Sequence, residues 1–143
     1  MTYNLPTFNF FNLEQGKFLS EIVKNSDTNV NLVYSYYQVI WQGPFIAKHI
    51  FEELNTKKVI CLIDCQDNIE YSLSFLRIGI KKIIVKIENK VMKKKLLSLA
   101  KNSGSELFEM TKFKKKQLFN DVMNNDVFKK KIILKLKKNN ILL

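Results

Sequence analysis

The stretch Val59–Cys65, VICLIDC, constrains the fold of this chain more than any other. Its first five residues are apolar, Lys57 and Lys58 precede it, and Gln66-Asp67-Asn68 follow it. A continuous apolar run this short fits a strand covered on both faces, the kind found in parallel sheets. It falls far below the roughly 18 apolar residues that a membrane-spanning helix needs.

The neighbouring segments alternate between the two periods of regular structure. Thr7–Phe11 (TFNFF) alternates like a strand, and Leu13–Asn25 follows as a helix with Asn12 as candidate cap. Val30–Tyr37 is β-branched and aromatic, which favours strand. Gly43–Leu54 carries apolar residues at 46, 47, 50, 51 and 54, a helical period with Pro44 at the first helical position. Asn68–Ile78 is the next predicted helix, with Ile69, Ser72, Leu73 and Leu76 on one side. Lys81–Ile87 reads as strand, and Glu88–Asn102 as helix with Val91, Met92, Leu96, Leu99 and Ala100 inward. Glu106–Met110 reads as a fifth short strand. Gly79 and Gly104 each stand just past a helix and before a strand, where a left-handed residue suits the turn. The sum is a single α/β domain over residues 1–110, with about five parallel strands and helices on both faces, flavodoxin-like or Rossmann-like. Strand order is not legible. A helix over Phe113–Phe128 and a Lys-rich tail are predicted for 111–143, with residues 129–143 expected to be dispensable.

The 143 residues suffice for one domain with a core and are too few for two. The formal net charge of +11 raises the question of a nucleic-acid partner. Of 24 basic residues only Arg77 is Arg, although Arg is the preferred reader of phosphates and bases. Lys, Ile and Asn all have A/T-rich codons and together account for 53 residues, so the charge reflects composition more than a partner. Residues 1–110 carry 14 basic and 11 acidic side chains, whereas 111–143 carry ten Lys and two Asp. The expected partners are therefore a protein or a second copy of the chain. The tail would add weak, non-specific contact with nucleic acid or an anionic surface. The first thirty residues hold only Lys17 and Lys24 as cations and no apolar core of signal-peptide length, so neither a secretory leader nor a transmembrane segment is expected. Cys61 and Cys65, four residues apart on one strand, would lie about 13 Å apart. That is too far for a disulfide. Reduced thiols point to the cytoplasm.

The segments Trp41–Phe45 (WQGPF) and Leu62–Lys86 carry a resemblance. Short alphaproteobacterial proteins of unassigned function combine an Ala-Gly-Pro-aromatic helix start, Leu-Asp-Cys-Gly-Asp followed by Pro-Gly, and a helix ending Leu-Arg-X-Gly. Gly43, Pro44, Asp64, Cys65, Asp67, Leu76, Arg77 and Gly79 match that pattern, with Gln66 in place of its Gly and Asn68-Ile69 in place of its Pro-Gly. Residues 30–90 resemble this family, which implies an α/β fold in a bacterial cytoplasm and no particular activity.

Ligands of parallel α/β sheets bind outside the carboxyl ends of the strands. Asp64 and Asp67 fall there. They could face a ligand, or act as acid and base on a phosphorylated or carbonyl metabolite. Alternatively Asp67 or Asn68 caps the next helix and Asp64 bonds loop amides. Ser35, Tyr36, Trp41, Gly43 and Pro44, read as a long βα loop and helix start, would form the other wall. No cofactor is expected, since G-x-G-x-x-G and G-x-x-x-x-G-K-[ST] are both absent. Nor is a metal, since His49 is the sole histidine. The leading expectation is a non-catalytic binding or interaction module. A small enzyme using Asp64 and Asp67 is one alternative, and a nucleic-acid or membrane-surface binder using the tail is another.

Overall fold

The computed structural model describes residues 2–54 and 57–138. Six strands form one all-parallel sheet: β1 (Pro6–Phe10), β2 (Val30–Tyr34), β3 (Val59–Asp64), β4 (Lys82–Ile84), β5 (Glu106–Phe108) and β6 (Lys115–Gln117). The helices are α1 (Leu13–Val23), α2 (Tyr36–Glu53), α3 (Ile69–Arg77), α4 (Lys90–Asn102) and α5 (Asn125–Lys138). The expected α/β class with a parallel sheet is the one observed. The strand order is β5-β4-β3-β2-β1-β6.

That order decides where the helices go. From β1 to β5 every crossover moves one strand in the same direction. Right-handed crossovers in one direction deliver every helix to the same face. Buried residues of all five helices, among them Leu19, Ile50, Phe75, Leu96 and Ile132, accordingly join one cluster with Phe8, Leu32, Ile63 and Ile83 of the strands. Helices on both faces, as the sequence suggested, are not what forms. The second face is covered by Tyr3, Met110 and Phe113, packed over Val33, Leu62, Ile84 and Phe108.

The chain reaches β6 from β5 by crossing this second face through Glu109–Lys114, three of whose residues coil as a 3-10 turn. Five strand spacings amount to about 24 Å. Six linking residues reach that far only if nearly fully extended. The link therefore closes on a twisted sheet whose edges curl toward each other. The Tyr3 ring, just ahead of β1, lies 5.3 Å from the Phe108 ring of β5 and 4.8 Å from Phe113.

The helix predicted over Phe113–Phe128 does not form. Lys115–Gln117 pairs with Pro6–Phe8 instead, since the open edge of β1 offers backbone groups that need partners. Tertiary pairing outweighs the local apolar stripe: Phe119 and Met123 pack against the core and Val122 is exposed. The basic tail continues as α5, docked on α1 through fully buried Phe128, Ile132 and Leu136. A polar junction fixes its start. Gln15 Nε2 donates to Met123 O and Asn125 Oδ1, and Asn12 Nδ2 donates to the same Asn125 oxygen. Residues 111–138 thus complete the sheet and core begun by 1–110. The last five residues of the predicted tail lie outside the described ones.

The segment Ser35–Gln42, read as a loop, is helical, with Ser35 at the N-cap position of α2. The break comes at Gly43, whose φ of 77° and ψ of 176° suit glycine almost alone. Pro44, with no N–H to continue the first half, opens the second. In α4 only Leu96 and Ala100 are buried, while Val91 and Leu99 are exposed, because the helix lies over the edge strand with no neighbour outside it.

The docking of α5 reverses the expectation that residues 129–143 are dispensable. Ile132→Ala and Leu136→Ala should each cost about 2–5 kcal/mol, the range for emptying a buried aliphatic site. Urea unfolding of each variant beside the wild type measures this. Losses below about 0.5 kcal/mol, typical of surface positions, would place α5 outside the core.

Candidate functional site

Side chains alternate across a strand, so the register assigns faces. Asn9 pairs with Val33, Val33 with Leu62, and Asp64 with Ile84. Asn9, Val33 and Asp64 therefore sit on the helix-free face at its carboxyl edge. A cavity of about 330 Å³ opens there, with Asp64, Ser35, Tyr36, Tyr37, Asn9 and Phe119 among its walls. A second, of about 320 Å³, shares Asp64, Gln66 and Met110 with it and adds Asp67 and Lys86.

Each wall has a local cause. Asp64 ends β3, and the chain turns sharply at Gln66, the one non-glycine residue with positive φ among those described (48°). Asp64 Oδ1 accepts from the Gln66 N–H at 3.0 Å. Asn68 then caps α3, its Oδ1 accepting from the Tyr71 N–H at 3.0 Å. Asn9 holds the opposite wall. Its Nδ2 donates to Phe119 O at 2.8 Å and its Oδ1 accepts from the Phe119 N–H at 2.7 Å, as a neighbouring strand would. The Phe119 ring also packs edge-on against Phe128, and Lys135 Nζ lies 4.9 Å from its centroid. The chain beyond β6 is thereby fixed over the end of β1.

Of the expected site residues, Ser35, Tyr36 and Asp64 are brought together in the first cavity. Asp67 is exposed and meets Asp64 in the second. Trp41, Gly43 and Pro44 line neither cavity, because α2 begins at Tyr36 and carries them two turns away from the strand ends. Trp41 is instead 81% exposed and Phe45 78%, flanking the Gly43 break. Asn9, Met110 and Phe119 were missed. Asn9 had a signal, a polar residue inside an alternating apolar strand, but its partner lies 110 residues away.

Burial raises the Asp64 carboxyl from 3.8 to about 6, and the Gln66 N–H only partly offsets this. Among the described residues no cation forms an ion pair with Asp64. Burial likewise pushes both thiols up to about 12. Cys61 and Cys65 thus stay protonated at neutral pH, in the inert form of a packed cysteine. His49 is exposed on α2. Among the described residues no group of three or more His, Cys, Asp or Glu side chains is placed to hold a metal ion, and no helix is long and apolar enough to cross a membrane. Phe128, Ile132 and Leu136 of α5 are buried, while Leu134 is exposed among its lysines. No protein-family model matches the chain, and no curated protein matches it.

The raised Asp64 pKa has a consequence for stability. Well below pH 3.8 the carboxyl is protonated in both folded and unfolded chains. As pH rises through 4 to 6 the unfolded chain ionises first, so Asp64 costs the fold stability that stays lost above pH 6. Asp64→Asn removes that cost. The variant should melt with the wild type at about pH 2.5 and above it at pH 7.5, by an amount on the order of 1–2 kcal/mol after solvent screening. A variant less stable than wild type at pH 7.5 would show that the Gln66 hydrogen bond outweighs the burial of charge.

Proposed function

We propose that the chain is a non-catalytic binding module. It would take a small molecule at the carboxyl edge of its sheet, on the face that carries no helices. One observation carries this reading: Asp64, a poorly solvated carboxylate that accepts from the Gln66 amide and has no ion-pair partner among the described residues, lines a cavity at the strand ends. Such a group costs stability unless a ligand uses it. The two protonated thiols, and the lack of a second carboxylate among the described residues that line the first cavity, favour binding over chemistry. The enzyme alternative would have to work from the second cavity, where Asp64 and Asp67 meet beside Lys86. The cytoplasm is the proposed setting, in keeping with two free cysteines and with the bacterial α/β proteins that residues 30–90 resemble. A thermal-shift screen of a metabolite library on wild type and Asp64→Asn tests the reading. The expected result is at least one compound that raises the melting temperature of wild type and not of the variant. Shifts that survive the substitution would move the site elsewhere, and turnover of a bound compound would establish an enzyme.

A second reading is contact with another protein molecule, including a second copy of the chain, through α2. The exposure of Trp41 and Phe45 on either side of the Gly43 break favours it. Large aromatic side chains left in water commonly mark interaction surfaces. Sedimentation should then show concentration-dependent association that Trp41→Ser with Phe45→Ser removes. A wild-type chain that stays monomeric at high concentration defeats the self-association form of this reading.

A further inference from the structure

We propose that the cavity beside Asp64 binds a small monoamine with an aromatic or apolar body, its ammonium on the Asp64 carboxylate. The inference rests on the small-molecule reading above and names the ligand class.

The chemistry of the walls selects this class. Among the described residues, Asp64 is the only charged side chain lining the first cavity. An anion there would face a carboxylate that has no ion-pair partner among the described residues, which a partly buried site disfavours strongly. A neutral ligand would leave the carboxylate as poorly solvated as before. An ammonium supplies the missing counter-charge and donates to the oxygens that Gln66 leaves free. Tyr36 and Tyr37, with rings 6.2 Å apart and edge-to-face, offer aromatic surface to a cation and to a flat body. Val33 and Met110 supply the apolar remainder. At about 330 Å³ the space suits a compact molecule. The chain's net charge of +11 argues against a polyamine, whose further ammonium groups would meet a repulsive field.

Asp64 has several titratable neighbours: the Tyr36 and Tyr37 hydroxyls on α2, the Cys65 thiol next in the chain, and Asp67 and Lys86 across the second cavity. Of these, Cys65 stays protonated up to about pH 12. Between pH 5 and 7.5 Asp64 changes state. Its ionised form binds the ammonium, so affinity rises with pH and binding near pH 6 releases protons.

Tyramine and benzylamine are the probes, with benzyl alcohol and benzoate as neutral and anionic counterparts. Titration calorimetry is run at pH 5 and 7.5 on wild type and Asp64→Asn. Both amines should bind wild type saturably at pH 7.5 and roughly tenfold more weakly at pH 5, as the ionised fraction falls. Asp64→Asn should weaken them roughly tenfold or more and flatten the pH dependence. Benzyl alcohol and benzoate should bind more weakly than either amine. Equal affinity for benzyl alcohol, stronger binding of benzoate, pH-independent amine binding, or no amine binding at millimolar concentration each overturns the proposal. The pH arm on wild type decides the matter even if Asp64→Asn does not fold. If the library screen yields an Asp64-dependent ligand that is not an amine, the binding reading stands and the amine class falls. If both experiments find nothing at Asp64, both readings fall.

Discussion

The fold depends on a six-residue link. Residues 109–114 leave one edge of the sheet and re-enter at the other, crossing the face that the helices do not cover. Because β1 to β5 advance without reversal, all helices lie on one side and the other side would stay bare. The link, with Tyr3, supplies its cover: Phe113 is buried and Met110 packs beside it over Val33, Leu62 and Ile84. A link this short closes only if the sheet twists and curls. The curl in turn makes the uncovered face small enough for a few aromatic side chains to fill. The geometry of the connection and the packing of the face are one solution to one problem.

The cavity follows from the same path. Once the chain has crossed, β6 pairs with β1, and the residues after it pass over the carboxyl edge. Asn9 holds Phe119 there with two hydrogen bonds, and Met110 closes the near side. Helices packed on this face would occupy that space. Asp64 ends up in a recess at the strand ends where water reaches it poorly, and its carboxyl rises to about 6. On a flat, open edge the same residue would be well solvated. Its environment comes from the fold of distant segments and not from the residues beside it in the chain.

The helix α2 shows a different division of labour. Its second half buries Ala47, Ile50 and Leu54 in the core, while Gly43 lets the first half change direction. Tyr36 and Tyr37 turn to the cavity, and the segment around the break exposes Trp41 and Phe45. One element thereby lines a recess at the strand ends and presents an aromatic surface.

The sequence by itself determined the class of fold. The apolar run at Val59–Ile63, the glycines after α3 and α4, and the helical periods between them all express local physics: a strand buried on both faces, a left-handed turn, an amphipathic helix. Asn12 and Asn68 as caps were legible for the same reason, since a cap bonds an amide three residues away. The carboxyl end of β3 was legible as the place to look for a cavity, and Ser35, Tyr36 and Asp64 line one there. Only the tertiary structure decided the rest. Strand order is set by which edges meet, and no residue encodes it alone. The segment 113–128 carries a helical stripe, yet its backbone completes an open sheet edge, a partner more than a hundred residues away. The tail looked dispensable because lysines dominate its composition, but three apolar residues at helical spacing, Phe128, Ile132 and Leu136, place it in the core. Asn9 and Phe119 became cavity walls through a contact across the whole chain. Local patterns fix local conformation, whereas the solvation of a single carboxylate depends on everything that packs around it.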